Sequence, residues 1–345
     1  MKTKITLLLL LIGLTSIAQQ SYYDDVDITL EGQSLYNELQ DKVSSGLNAN
    51  YTYGDFRDTL KITDANPDDS SEVLLIYGFN DNDGDCTTDL TRDNDNFGGN
   101  ACEYNREHTF PRSLSDPPMG SASNGSNGIV ADPHNLRPSD VQRNGNRGSK
   151  KFADGSGNSG DVGSGNWYPG DAWKGDAARI VMFMYLRYGE RCLPEFVGVG
   201  ATQGSTEMLQ LFLEWNAEDP VSEVEMQRNP QLETEYGSRN PFIDNPALAT
   251  RIWGGVQAED LWGTFSVTDE NAISFSLYPN PARHLTTISS ATPFKNITVF
   301  DITGKKVYES TFAKAQLNNS IPVRNLAKGM YLVQVEKTVQ KLIVR

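Results

Sequence analysis

Hydrophobic periodicity changes once along the chain, after Trp262, and that change divides what the chain can fold into. Upstream, Trp173, Ala177, Ile180, Val181, Met184 and Tyr188 recur at helical spacing until Gly189, and Met208, Leu211, Phe212 and Trp215 repeat the pattern. Leu35, Leu39 and Val43 predict an earlier packing helix over 31–45, closed by Gly46. Asp219-Pro220 reads as an N-cap followed by Pro at the first helical position, opening a further helix through about Glu235. Val73–Tyr77 is a short buried-strand candidate, and 153–170, rich in Gly, Ser and Asp, reads as a loop without the GxSxG elbow of a serine hydrolase. Downstream, short runs at 275–278, 297–302, 307–312, 330–335 and 341–344, with a turn at Thr303-Gly304-Lys305, predict a small β-sandwich. The expected class is α+β: a mainly helical domain over 19–263, a linker over 264–274 and an all-β sandwich over 275–345.

The first eighteen residues have a different use. Lys2 and Lys4 precede the apolar run Ile5–Leu14, and Ser16-Ile17-Ala18 sets small residues before Gln19, the pattern of a cleaved secretory signal. No other stretch reaches the roughly 18 apolar residues of a membrane span, so export without an integral anchor is expected. Export permits disulfides. Of the three cysteines, Cys86 and Cys102 flank a polar loop and are the natural pair, which leaves Cys192 as an inert thiol. No CxxC is present to build a thiolate zinc site. Asp81, Asp83 and Asp85 alternate like the opening of a calcium loop, but Gly84 stands at the fourth place rather than the sixth, and Arg92 occupies the twelfth. A solvated acidic loop is the reading favoured there, with structural Ca2+ as its alternative.

The formal charge of −15 argues against nucleic-acid or membrane binding through the field of the whole molecule. By segment, however, the charge is −15 over 19–103, +3 over 104–152 and −10 over 153–263. The positive stretch is also the one with unusual chemistry. Segment 104–113, Tyr-Asn-Arg-Glu-His-Thr-Phe-Pro-Arg-Ser, and segment 131–147, from Ala131-Asp132-Pro133-His134-Asn135 to Asn144-Gly145-Asn146-Arg147, hold two of the three histidines. They combine a Glu-His pair, a second histidine, amides and several guanidinium groups. Hydrolysis of a phosphodiester needs a base near neutral pH, a cation against the phosphate and donors that hold it in line. Histidine suits the first role, and Glu and Asn oxygens suit a hard cation such as Mg2+.

NREHTFPRS at 105–113 and DPHNLRPSDVQRNGNRGS at 132–149 resemble the two signature segments of the endonuclease I family, secreted or periplasmic nucleases with a ββα-metal (His-Me) finger. The likeness extends through 177–188, 211–230 and 236–254, so most of 25–263 is covered. It implies His108 as the residue that activates water, and Glu107 and Asn144, the latter 36 residues after His108, as ligands of one Mg2+, with Mn2+ as a substitute. It also implies Arg147 as a phosphate contact. The family's transition-state arginine usually lies between the segments, yet 114–131 holds no Arg or Lys, which leaves Arg112, Arg137 or Arg143 to serve. His134 is open between a second catalytic or phosphate-binding role and one orienting the hairpin, and Asn135 is an alternative to Asn144 as ligand. Tyr236-Gly237-Ser238-Arg239-Asn240-Pro241 departs from the usual Gln-Gly-Asn-Arg-Asn-Pro and is expected to be scaffold; His284 is expected to be a bystander.

FSLYPNPARHLTTISS at 275–290, ITVFDITGKKVYES at 297–310, NLAKGMYLVQVE at 325–336 and the terminal KLIVR resemble the C-terminal sorting domain of the type IX secretion system of Bacteroidetes. That resemblance implies the type IX machinery as a partner and a secreted or cell-surface destination. The resulting expectation is a secreted, Mg2+-dependent endonuclease on DNA, with RNA as a further substrate, little sequence preference and a 5′-phosphate product. Two rivals are a surface binding protein on an inactive nuclease scaffold and a phosphodiesterase on other substrates. With a Debye length of about 8–10 Å, a phosphate feels the local patch and a bound metal more than distant carboxylates. Contact is therefore expected on the 104–152 face, and binding should be weak without metal.

Overall fold

Two units divide the chain in a computed structural model, one through residue 265 and one from residue 266. Residues 20–264, 274–336 and 338–345 are described; the leader read over 1–18 and residues 265–273 of the expected linker lie outside them. Helices α1 (Gly32–Ser44) and α2 (Phe56–Thr63) lead into a three-stranded antiparallel sheet of β1 (Ala65–Asn66), β2 (Asp69–Leu74) and β3 (Thr91–Asp93). A separate antiparallel pair, β4 (Tyr104–His108) and β5 (Leu136–Asp140), is followed at once by α3 (Val141–Arg147). Short strands β6 (Gly160–Asp161) and β7 (Trp167–Tyr168) pair within the segment read as loop. The rest of the unit is helical: α4 (Lys174–Tyr188), α5 (Pro194–Val197), α6 (Gln210–Glu218), α7 (Glu223–Tyr236), α8 (Pro241–Asp244) and α9 (Ala247–Trp253).

The core of this unit forms around α4. Ala177, Ala178, Ile180, Val181, Met182, Phe183, Met184 and Leu186 are all buried, so the helix is covered on every side rather than along one stripe. α1, α6 and α8 pack against it, and α1 contributes the expected stripe of Leu35, Leu39 and Val43. A second cluster joins Phe56, Leu60, Val73, Leu75, Tyr104 and Leu136 beneath β4 and β5.

Several boundaries differ from expectation for local reasons. The helix assigned to Asp219-Pro220 begins at Glu223, because Ser222 accepts from Glu225 N while the Glu225 carboxylate accepts from Ser222 N, a reciprocal cap. Asp219 instead accepts from Gly175 N at 2.8 Å, tying down the start of α4. The strand expected over 73–77 ends at Leu74. Ile76 N donates to Pro138 O at 2.8 Å, and the chain then turns at Tyr77, whose φ is 73°. α7 closes on Gly237 in the left-handed region (φ 93°), where a Cβ would stand 2.5 Å from the Gly46 carbonyl oxygen, so glycine is required twice over. In the acidic loop, Asp81 accepts from Leu90 N and Thr91 N, Asp83 from Asp85 N, and Asp85 from Thr87 N. These carboxylates brace the loop's own backbone, and no group of three or more His, Cys, Asp or Glu among the described residues is arranged to hold a metal ion.

The second unit corrects the sandwich of short strands. β8 (Phe275–Tyr278), β9 (Leu285–Asp301), β10 (Lys306–Pro322), β11 (Gly329–Val335) and β12 (Thr338–Val344) form one antiparallel sheet, ordered β10-β9-β11-β12, with β8 also on β9. β9 buries Thr286 and Ile288 early but Ile297 and Val299 late, a change from even to odd positions. Register breaks opposite, between Thr311, Gln316 and Asn318, accompany that change. Extra residues at a bulge flip the inward face, so both halves of the bent sheet cover one core of Phe275, Phe294, Val333 and Leu342.

Candidate active site

β4 and β5 pair from Tyr104↔Asp140 to His108↔Leu136, and α3 starts where β5 stops. Asp140 makes that turn possible. One of its carboxylate oxygens accepts from Gln142 N and Arg143 N, both at 2.9 Å, and the other accepts from Arg92 Nη1 at 3.0 Å. So capped, α3 lies against both strands, and Asn144 Nδ2 donates to Asn105 Oδ1 of β4 at 2.7 Å. That bond turns the amide carbonyl of Asn144 the opposite way.

A cleft of about 580 Å³ opens along this hairpin. Glu107, His108, Arg112 and Asn144 line it, together with Tyr53, Asn105, Arg106, Ser113 and Ser149. Among the described residues, Glu107 is the single carboxylate in that lining, and Arg106 and Arg112 are its cations. The lining is thus net positive although the chain is acidic.

His108 is buried apart from a narrow exposure of 8%. Its Nε2 lies 2.9 Å from Val130 O, and a carbonyl can only accept, so Nε2 carries the proton and Nδ1 keeps the lone pair. Burial lowers its pKa to about 4, against the raising effect of that carbonyl, so the ring is neutral near pH 7. Tyr53 stacks on the imidazole at 5.5 Å and 15°, and the Arg106 guanidinium lies 3.6 Å from the Tyr53 ring and donates to Tyr53 O.

Glu107 Oε1 accepts from Arg147 Nη1 at 3.0 Å and from Tyr77 OH at 3.2 Å, so Oε2 takes neither bond. Burial raises the carboxyl to about 7 and outweighs the Arg147 charge that pulls it down. A carboxylate left so incompletely compensated is a place where a cation gains free energy. One carboxylate and one amide oxygen are hard donors, and so sparse a set leaves room for the waters that Mg2+ retains. The residues therefore fit that ion.

The remaining expected residues lie elsewhere. Arg147 is buried, with Nη1 on His108 O at 3.1 Å and Nη2 on Thr109 O at 2.7 Å, so it braces Glu107 and β4 and is not exposed to a phosphate. Arg137 points away from the cleft into a buried ion network, with Nε 2.6 Å from Asp64 Oδ1 and Nη1 2.7 Å from Asp176 Oδ1. Arg143 donates to Ser159 and sits between the rings of Phe79 and Trp167, 5.1 and 5.2 Å away, joining α3 to the loop beyond it. His134 is buried against Phe183, and its Nε2 meets Ser238 O at 3.0 Å, a link between the hairpin and the turn after α7. Asn135 exchanges both its amide groups with the backbone of Phe110, at 2.7 and 3.0 Å, and has none to spare for a metal. Of the arginines weighed, Arg112 alone lines the cleft, with Nη1 held on Gly120 O at 2.8 Å.

Sequence reasoning passed over Tyr53 and Arg106. Arg106 and His108 are two apart on one strand, a period-2 signal that both side chains share a face. Tyr53 gives no local signal, since it arrives from a loop that precedes α2. Cys86 and Cys102 form the expected disulfide, and Cys192 is a buried free cysteine.

A family model described as Endonuclease I matches residues 31–247, and one described as a secretion system C-terminal sorting domain matches residues 276–345. The chain is similar to a protein named extracellular ribonuclease from Bacillus subtilis (strain 168), 34% identical over 261 residues, spanning 70% of this chain and 83% of that one. Another protein of the same name, from Bacillus amyloliquefaciens, is 33% identical over 247 residues, spanning 68% of this chain and 78% of that one. A solved structure of PorZ, a surface component of the type IX secretion system of Porphyromonas gingivalis, overlaps 23% of this chain at 20% identity and a TM-score of 0.19, too little to argue from.

Proposed function

The chain belongs to the endonuclease I family and is an exported nuclease with a type IX sorting domain, and from this premise we propose that it is a metal-dependent endonuclease hydrolysing DNA and RNA with little sequence preference. The observation that carries this reading is the meeting, in one cleft, of a neutral imidazole with a free Nδ1, a carboxylate and an amide.

His108 Nδ1 takes a proton from the attacking water, while Nε2–H stays on Val130 O and steadies the imidazolium that forms. Arg112 presents donors to a nonbridging phosphate oxygen, and its anchorage on Gly120 limits the ordering that this costs. Glu107 and Asn144 would hold Mg2+, or Mn2+ in its stead, and the ion would supply positive charge against the phosphate and the departing oxygen. The product end is a 5′-phosphate, and no protein nucleophile becomes bonded to the substrate. Because water attacks, a 2′-hydroxyl is not needed, and DNA and RNA are both substrates. The ribonuclease names of the relatives favour RNA as one of them.

The test incubates the chain from residue 19 onward with plasmid, single-stranded DNA and RNA, in Mg2+ or in EDTA. Cleavage in Mg2+ and none in EDTA is expected. Failure of the wild type to cut any of the three would overturn the reading, whereas equal cutting by His108→Ala would remove only the assignment of the base.

A further inference from the structure

Tyr77 adopts a φ of 73°, in the left-handed region that side chains other than glycine seldom occupy. It is fully buried, its ring meets Trp167 edge-on at 5.7 Å, and its carbonyl accepts from Ser159 Oγ at 2.5 Å. Packing alone would be served by phenylalanine, without a hydroxyl to bury. The hydroxyl has one described use: it donates to Glu107 Oε1 at 3.2 Å, the oxygen that Arg147 Nη1 reaches at 3.0 Å from the opposite end of the motif region. Arg147 cannot swing away, because His108 O and Thr109 O hold its nitrogens and Phe152 lies 4.7 Å from the guanidinium. A strained backbone persists where its surroundings over-determine it, and here they aim a hydroxyl at the cleft carboxylate.

We propose that Tyr77 and Arg147 are positioning residues for Glu107, holding Oε1 on the protein so that Oε2 is offered to a divalent cation. This rests on Glu107 being a ligand of that cation. Partners behind a metal ligand are typically worth about 10–100-fold in affinity. Tyr77→Phe keeps the ring against Trp167 and removes only the donor; Arg147→Lys keeps the charge and removes the planar fork.

The test titrates the metal-free full chain with Mn2+ in the absence of nucleic acid, following bound ion by electron paramagnetic resonance, with melting temperature as a check on folding. Glu107→Gln is expected to lose binding, and Tyr77→Phe and Arg147→Lys to raise Kd about tenfold or more. If Glu107→Gln loses binding but both other variants stay within about twofold of wild type, the positioning role is overturned and the ligand stands. If Glu107→Gln binds Mn2+ like wild type, the reading of Glu107 as ligand fails first.

Discussion

The imidazole of His108 lies nearly parallel to the phenol of Tyr53, with ring centroids 5.5 Å apart and an angle of 15° between the planes. Arg106 covers the phenol at 3.6 Å, so this aromatic ring already has a guanidinium and an imidazole as partners. It steadies the imidazole, the base of the proposed reaction. Val130 O fixes one edge of the imidazole and Tyr53 fixes its face, which together leave the ring a single orientation. A misplacement of about 1 Å can cost on the order of a hundredfold in rate. Tyr53→Ala should therefore lower kcat by roughly 10–100-fold with little change in KM, and Tyr53→Phe should recover most of the loss. Steady-state cleavage of a fluorescent oligonucleotide reads both constants. A loss confined to KM would assign Tyr53 to substrate binding.

Two arginines that look alike in sequence should fail in opposite ways. Arg112 lines the cleft on a single carbonyl anchor, so Arg112→Ala should reduce kcat/KM by about 10²–10³-fold and leave the melting temperature nearly unchanged. Arg137 is buried between Asp64 and Asp176, and its removal leaves Asp64 with Arg228 alone and Asp176 with no cation nearer than Arg179 at 3.9 Å. Arg137→Ala should cost about 3–5 kcal/mol, a fall of roughly 10 °C in melting temperature. Calorimetry and kinetics on the same two proteins separate the roles, and a stable but inactive Arg137→Ala would return that residue to the substrate.

This contrast also marks how far the sequence could be read. Glu107, His108 and Asn144 were legible as neighbours in one cleft because their placement is local: a strand and the helix after it bring together residues that the motif spacing already relates. Arg137 and Arg147 were not. A guanidinium suits a phosphate or a carboxylate equally, and the partners that decide the matter, Asp64 for one and Glu107 for the other, are set by tertiary packing. The same limit shows in the fold. Leu35, Leu39 and Val43 announced a helix face, while the all-round burial of α4 and the single bent sheet formed by β9 and β10 depend on neighbours that no local window contains.

His134 should make the protein acid-sensitive. Burial, with Arg228 next, holds its pKa well below the usual histidine range, so the folded chain refuses a proton that the unfolded chain accepts near pH 6.5. Its contribution is therefore complete above about pH 6.5 and is lost as pH falls, at up to about 1.4 kcal/mol per pH unit. Glu107, raised to about 7, acts in the opposite sense, its contribution lost as pH rises through that value. Melting curves between pH 5 and 7 for wild type and His134→Gln isolate the histidine. The variant should lose stability less steeply, and matching slopes would assign the acid sensitivity to another group.

The disulfide should support the site through a relay of contacts. Cys86 and Cys102, 16 residues apart in sequence, are joined, and Cys86 O accepts from Arg92 Nη2 at 2.6 Å. Arg92 Nη1 in turn holds Asp140, the cap of the helix that carries Asn144. Closing a loop of this length stabilises by about 3 kcal/mol in the chain-entropy account. Replacing both cysteines with serine should cost about that much and also weaken Mn2+ binding, since the cap of α3 loses its brace. Cys192 provides the control. Burial pushes its thiol up to about 12, so it has almost no thiolate at pH 8. Alkylation at that pH should label no cysteine in the native chain and only Cys192 after denaturation without reductant, with all three labelled once the denatured chain is reduced. Native labelling of Cys192 would place that side chain within reach of solvent, and unchanged Mn2+ affinity in the double serine variant would break the relay from the disulfide to Asn144.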